Sequence, residues 1–282
     1  MKINHFRQYF GAILLLCLSF VANDFGQQPA VNKTVTEAQI KADIALVPCR
    51  NEDRLEAVKK LFQASDATDG DISIQKFKDI QNLVVTKKGK TDDIVVISAH
   101  YDKVKDGCGA IDNWTGIVII ANLYGTLRNV ETEKTLLFVA FDKEELGLYG
   151  SEAMAKAIPK DKRDIYCSNI NLDSFGFGYP QVLDNVSTSK MSEMVKAVAE
   201  EVKMPYAHAS LAGAADADSS SFMSRGIPAV TLHGLNNDWQ KYLHSSKDVV
   251  ANINPSSVFV AYQFTLRFLV KVDGSKCSVF RK

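Results

Sequence analysis

The chain has 282 residues, enough for one large α/β domain, and no linker, repeat or low-complexity run divides it. Its 33 basic and 33 acidic residues cancel, which removes any electrostatic case for nucleic acid or an anionic membrane surface as partner. Small neutral or mixed-charge substrates suit that balance better.

The N-terminus, 1–26, has the pattern of an export signal: Lys2 and Arg7 precede an apolar core from Phe10 to Ala22 that Asn23 and Asp24 end. That core is shorter than the ~20 residues a bilayer span requires. The expectation is a cleaved leader, a secreted or periplasmic protein and no stable membrane association, leaving 27–282 as a single domain. Four cysteines remain in it, Cys49, Cys108, Cys167 and Cys277. In an oxidising compartment one or two disulfides are expected, with every pairing open.

From Thr36 to Ser65 apolar residues recur at helical spacing, with a break near Pro48, and predict one or two covering helices. Ile72–Phe77 and Gln81–Val85 alternate as strands and form an antiparallel edge. A strand Ile94–Ile97 runs into His100. Beyond it helices are predicted over Gly116–Leu127, Glu145–Ile158, Lys190–Val202 and Val258–Val272, and strands over Thr135–Phe141, Ile165–Leu172 and Ile227–His233. Strands alternating with helices predict a three-layer α/β/α sandwich around a mixed, mainly parallel sheet.

The adjacent acids Glu144 and Glu145 follow the apolar run Leu136–Phe141. In open α/β sheets ligands bind beyond the carboxyl ends of such strands, although acids also favour an ordinary helix start. Other segments favour chemistry: Ser98-Ala99-His100-Tyr101-Asp102, Ala110-Ile111-Asp112-Asn113-Trp114, Asn171-Leu172-Asp173-Ser174 and Tyr242-Leu243-His244-Ser245 each place a potential metal ligand at an element's edge. His100, Asp112, Glu145, Asp173 and His244 are too many ligands for one zinc, which takes at most four. They suit two metals about 3.5–4 Å apart if one carboxylate bridges. Glu144 is then free to handle protons.

These segments, in order from about Ile94 to Asp248, resemble the co-catalytic di-zinc exopeptidases that include secreted bacterial leucyl-type aminopeptidases, with glutamate carboxypeptidases and glutaminyl cyclases as relatives. The resemblance implies two Zn(2+) per chain: His100 and Asp173 on one ion, Glu145 and His244 on the other, Asp112 between them. It implies Glu144 as general base for hydrolysis of peptide substrates, and Asp102 as the acid that holds the second nitrogen of His100. Asp248 is expected to stabilise the turn carrying His244, and Asp218 to be a supporting acid rather than a ligand.

The sequence departs from the family near Asp218. Many members carry His where Ser219 stands, and some aminopeptidases use a Tyr, where Asp216 stands, to hold the oxyanion; Tyr206 and Tyr242 are the substitutes considered. His208 and His233 are expected to be packed and hydrogen-bonded. Trp114 and Trp239 fit either a pocket or the core. Asn32, Asn113 and Asn185 match the glycosylation pattern. The expected function is a secreted metallo-aminopeptidase. The alternatives are a single-zinc glutaminyl cyclase, disfavoured by the acid pair, and an inactive binding ectodomain, disfavoured by the complete ligand set.

Overall fold

Thr36 caps the first helix by accepting a hydrogen bond from the Gln39 N–H through its side chain at 3.2 Å, which satisfies one of the donors a helix start leaves unpaired. The computed structural model describes residues 35–210 and 216–281; the expected leader lies outside the described residues. Helices α1 (Glu37–Ile44) and α2 (Asn51–Ala64) flank Pro48, as the spacing predicted. The hairpin β1 (Ile72–Phe77) and β2 (Ile80–Lys87) pairs antiparallel. Then follow β3 (Ile94–His100), α3 (Thr115–Leu127), β4 (Thr135–Phe141), α4 (Tyr149–Ala157) and β5 (Tyr166–Leu172). The chain continues through β6 (Gln181–Leu183), α5 (Ser189–Glu201), β7 (His208–Ala209), α6 (Ser219–Met223), β8 (Ala229–His233) and α7 (Pro255–Asp273).

The strands form one sheet in the order β1-β2-β4-β3-β5-β8-β6-β7. Its centre, β4-β3-β5-β8, is parallel, and antiparallel partners close it at β2 and β6. Alternate residues of the central strands feed opposite faces, as the pleat dictates: Val95, Ile97, Leu136 and Phe138 enter the larger core, whereas Val96, Val139 and Phe141 enter the smaller one. Helices α1, α2, α3, α5 and α7 cover the first face, and α4 and α6 the second. This is the expected three-layer sandwich.

Helix α3 is buried along its whole length, the behaviour of a helix apolar on all sides. Gly116 allows its close approach to the sheet, because a Cβ there would lie 2.6 Å from the Leu172 carbonyl oxygen. Asn254 caps α7 through its side chain, with Pro255 in the first helical turn. Among the described residues no helix is long and apolar enough to cross a membrane.

Two expectations change. The helix predicted from Glu145 begins only at Tyr149, because Gly147 (φ 115°) and Leu148 (φ 61°) adopt left-handed backbone and the Glu144 carbonyl accepts from both the Gly147 and Leu148 N–H groups at 2.8 Å. The acid pair therefore sits in a tight turn ahead of the helix. The short elements β6, β7 and α6 went unpredicted, since segments of 3, 2 and 5 residues carry no measurable period.

The four cysteines pair as Cys49–Cys108 and Cys167–Cys277. The first ties the approach to α2 to the loop after β3; the second ties β5 to the C-terminal segment across 110 residues. Replacing Cys167 and Cys277 together by alanine is expected to lower unfolding free energy by about 3–5 kcal/mol through the longer loop released. Urea unfolding checks this, and an unchanged midpoint would show that the bridge contributes nothing.

Candidate metal centre and cleft

The parallel strands bring their carboxyl ends to one edge of the sheet. His100 ends β3, Glu144 and Glu145 follow β4, Asp173 follows β5 and His233 ends β8, while Asp112 and His244 arrive on the loops after β3 and β8. His100 Nε2 lies 3.1 Å from Asp112 Oδ1, 3.7 Å from Asp173 Oδ1 and 4.0 Å from Glu144 Oε2. His244 Nε2 lies 3.3 Å from Asp112 Oδ2 and 3.1 Å from Glu145 Oε2. The two oxygens of Asp112 thus face different imidazoles. Potential ligand atoms of His100, Asp112 and Glu145 lie within 4.8 Å of one another, as do those of His100, Glu144 and Asp173.

Local backbone presents these groups at a conformational cost. Lys143, Leu148, Ser174 and His244 take left-handed φ values of 57°, 61°, 60° and 55°, a region non-glycine residues rarely adopt unless their surroundings hold them there. The surroundings are visible. The Asp102 carboxylate accepts from the Glu144 and Glu145 N–H groups at 3.0 and 3.2 Å, and its Oδ1 lies 3.4 Å from His100 Nδ1. One side chain therefore positions a ring and the acid turn together. Asn113, across a cis peptide bond from Asp112, accepts from the Gly116 and Ser174 N–H groups and donates to the Leu172 carbonyl. It ties the Asp112 loop to the strand end carrying Asp173. With its amide so committed and the residue fully buried, Asn113 is no glycosylation acceptor in the folded chain.

Asp248 closes the turn after His244 through its N–H to the Ser245 carbonyl at 3.0 Å, and its side chain reaches further. Its carboxylate accepts from the Ile111 N–H at 2.6 Å and the Asp112 N–H at 3.4 Å, so it braces the Asp112 loop rather than only the turn of His244. Asp218 is fully buried at the start of α6, and neither carboxylate oxygen meets a hydrogen-bond partner among the described residues. Burial pushes its pKa up to about 7. It adds to the negative field around Glu144, whose own carboxyl is raised well above the ordinary range, first by burial and then by Asp218, Asp173 and Asp112. Burial opposes charge on His100, but Glu144 and the contacts with Asp102, Asp112 and Asp173 override it and raise the imidazole's pKa. Hydrogen bonds to Asp112 and Glu145 lift His244 to about 10.

So many acids facing two imidazoles call for further positive charge. Glu145 Oε1 is buried without a partner among the described residues, and an unpaired carboxylate oxygen in such a place is costly. A cation bound there would satisfy it. Two imidazole nitrogens with carboxylate oxygens form a donor set that suits zinc, so the residues fit that metal.

A cleft of about 460 Å³ opens onto this cluster, lined also by the apolar Leu148, Leu183, Leu235, Leu243 and Trp239 and by Asp216, Thr231, Ser174 and His233. The model of Peptidase family M28 matches residues 82–269, more than half of the chain. The chain belongs to peptidase family M28. Aminopeptidase YwaD of Bacillus subtilis is 28% identical over 76% of this chain and 48% of its own length; the chain thus spans about half of that relative. Among solved structures, LapB from Legionella pneumophila superposes with a TM-score of 0.72 at 20% identity, covering 86% of this chain and 73% of that one. A glutaminyl cyclase from an Acidobacteriales bacterium superposes at 0.71 and 18% identity, covering 88% of this chain and 99% of that one.

In this M28 member the sequence pattern missed Arg54. It is fully buried behind the cluster, donating to the carbonyls of Pro48, Tyr101, Cys108 and Gly109, with Trp114 stacked 5.6 Å from its guanidinium. Burial lowers its pKa to about 10, while Asp102, Asp248, Asp112 and Glu145 support its charge. No spacing could reveal this, since Arg54 looks like any charged residue of α2. Trp114 belongs to the core and Trp239 to the cleft. His208 is exposed and paired with Asp184, contrary to the packed role expected. His233 is buried and bonded as expected, yet it also faces the cleft. Tyr242 packs on Phe177 and Tyr206 stacks on His208, and neither lines the cleft.

Arg54→Met leaves four carbonyls without their donor and the acids without their buried cation. It is expected to cost at least ~3 kcal/mol of stability, read from chemical denaturation; a loss below ~1 kcal/mol would reject this role.

Proposed function

We propose that this chain is a secreted metallo-aminopeptidase that removes N-terminal residues from peptides, using two zinc ions and Glu144 as general base. One observation carries the reading: the two oxygens of Asp112 face His100 and His244 at 3.1 and 3.3 Å, with Asp173 beside the first and Glu145 beside the second. His100 and Asp173 would hold one ion, Glu145 and His244 the other, and Asp112 both. Zinc supplies Lewis acidity toward a peptide carbonyl and lowers the pKa of water.

In this reading Glu144 stays outside both ligand sets, with its Oε2 4.0 Å from His100 Nε2. It takes the proton of the attacking water and hands it to the departing amine. Asp102 fixes the Glu144 turn and the His100 ring, so base and ligand hold their relative places. The described lining of the cleft contains Asp112, Glu144, Glu145, Asp173 and Asp216 but no lysine or arginine. That charge pattern suits a substrate's N-terminal ammonium and offers nothing to a C-terminal carboxylate. The leucines of that lining, with Trp239, favour an apolar side chain at the residue removed. Both the similarity to aminopeptidase YwaD and the two disulfides support an exported peptidase.

The glutaminyl cyclase alternative has one specific support, since this chain covers 99% of the cyclase structure it resembles. The cleft's second carboxylate–imidazole pair, Glu145 against His244, disfavours a single-metal site. Metal content with a panel of aminoacyl anilides separates the two. Two zinc ions per chain and chelator-sensitive hydrolysis are expected; one zinc with pyroglutamate formed from an N-terminal Gln peptide would establish the cyclase instead.

Two substitutions test the roles. Glu144→Gln should retain both zinc ions and lose about 10²–10⁴-fold in kcat, and near-wild-type turnover would remove Glu144 from the base position. Asp102→Asn should weaken zinc affinity about 10–100-fold, measured by competition with a chromogenic chelator; unaltered affinity would reject its supporting role.

A further inference from the structure

His233 is 4% exposed at the end of β8 and lines the cleft. Its Nδ1 accepts a hydrogen bond from the Leu235 N–H at 3.2 Å. A ring nitrogen that accepts carries no proton, so in the neutral imidazole the proton resides on Nε2. That Nε2–H is buried and meets no acceptor among the described residues, which is unusual for a donor removed from water. Its position is informative. Leu232 pairs with Leu172 on the neighbouring strand, and the Asp173 N–H donates to the Leu232 carbonyl at 2.9 Å, so His233 leaves the sheet beside Asp173.

The other hydroxyl donors of the lining are committed. The Ser174 hydroxyl donates to Asp173 Oδ1 at 3.1 Å, and Thr231 Oγ1 lies 2.6 Å from Ser219 Oγ. Asp216 Oδ1 accepts from the Ala217 N–H and the Ser220 hydroxyl. The cleft thus holds acids to receive an ammonium and a base for the water, and His233 supplies an uncommitted neutral N–H.

We propose that His233 is a catalytic residue whose Nε2–H donates a hydrogen bond to the scissile carbonyl oxygen and holds it as negative charge accumulates there. The proposal rests on the aminopeptidase reading. As the water oxygen bonds to the carbonyl carbon, the π electron pair moves onto the carbonyl oxygen, where His233 meets it without giving up its proton. Glu144 takes the water's proton. When the carbonyl re-forms and the C–N bond breaks, that proton passes to the leaving nitrogen, and His233 ends as it began. Neutrality matters here, since a fixed cation at this place would repel the substrate's ammonium.

The test uses the zinc-loaded full chain and leucyl p-nitroanilide. His233→Phe keeps a ring of similar shape and removes the donor; kcat is expected to fall about 10²–10³-fold, with KM within about twofold and with zinc content and thermal midpoint unchanged. Affinity for an α-amino boronic acid, a tetrahedral mimic, should fall with kcat, while affinity for free leucine holds. His233→Gln, which retains an N–H donor, should recover at least about tenfold of the loss. Should the Phe variant lose its thermal transition, His233→Gln against His233→Met gives the same contrast of donor kept and donor removed. A donor-free variant within about threefold of wild-type kcat, or a loss that follows thermal midpoint and is not relieved by Gln, overturns the proposal alone. Absence of hydrolysis by the wild-type chain on every anilide overturns the aminopeptidase reading and this proposal with it.

Discussion

Mutual repulsion among carboxylates is the constraint around which this molecule is arranged. Asp102, Asp112, Glu144, Glu145, Asp173, Asp218 and Asp248 meet behind and within one cleft, most of them buried or half-buried. Like charges at such separations in a low-dielectric region cost several kcal/mol each unless compensated. Compensation comes in layers. His100 and His244 face Asp112, backbone N–H groups fill the carboxylates of Asp102 and Asp248, and Arg54 sits beneath as a buried cation. What the described residues leave unpaired, above all Glu145 Oε1, has the character of a cation site.

The same constraint accounts for the loops. Left-handed backbone at Lys143, Leu148, Ser174 and His244 is tolerated because side chains from distant elements pin each segment. Asp102 reaches from the end of β3 to the turn after β4, Asn113 from the loop after β3 to the end of β5, and Asp248 back to the loop carrying Asp112. The Cys49–Cys108 bridge anchors the start of that loop. Rigid strand ends and cross-braced turns together hold the cluster in a fixed geometry. Glu144 and Glu145, adjacent in the chain, are separated in space by this bracing: one lies near His100 and in the field of the buried Asp218, the other against His244.

Much of this was legible in the sequence. The central strands carry continuous apolar runs because both faces of a parallel sheet are covered, and the helices between them carry helical spacing, so the layer order followed. The candidate ligands were legible because His, Asp and Glu at the ends of buried strands are costly without a purpose. The start of α4 was misplaced because the acids in its approach mimic an N-terminal helix turn, and only left-handed Gly147 and Leu148 delay it. Asp248 was assigned to the nearest ligand in the chain, whereas its carboxylate also bonds residues more than 130 positions earlier. Arg54 and His233 carry no motif at all; each acquires its significance from what surrounds it in space.

By itself the sequence determined which residues are costly enough to demand a function, His100, Asp112, Glu144, Glu145, Asp173 and His244, and the alternation of strand and helix that sends them to one edge. Those properties are local, set by side-chain chemistry and by the periods of strand and helix. The tertiary structure alone decided which oxygen faces which imidazole, which cysteines pair, that a buried arginine supports the acids, and that the buried His233 lines the cleft. Each of these depends on distances between segments far apart in the chain, and such distances arise only when packing against the shared core brings the segments together.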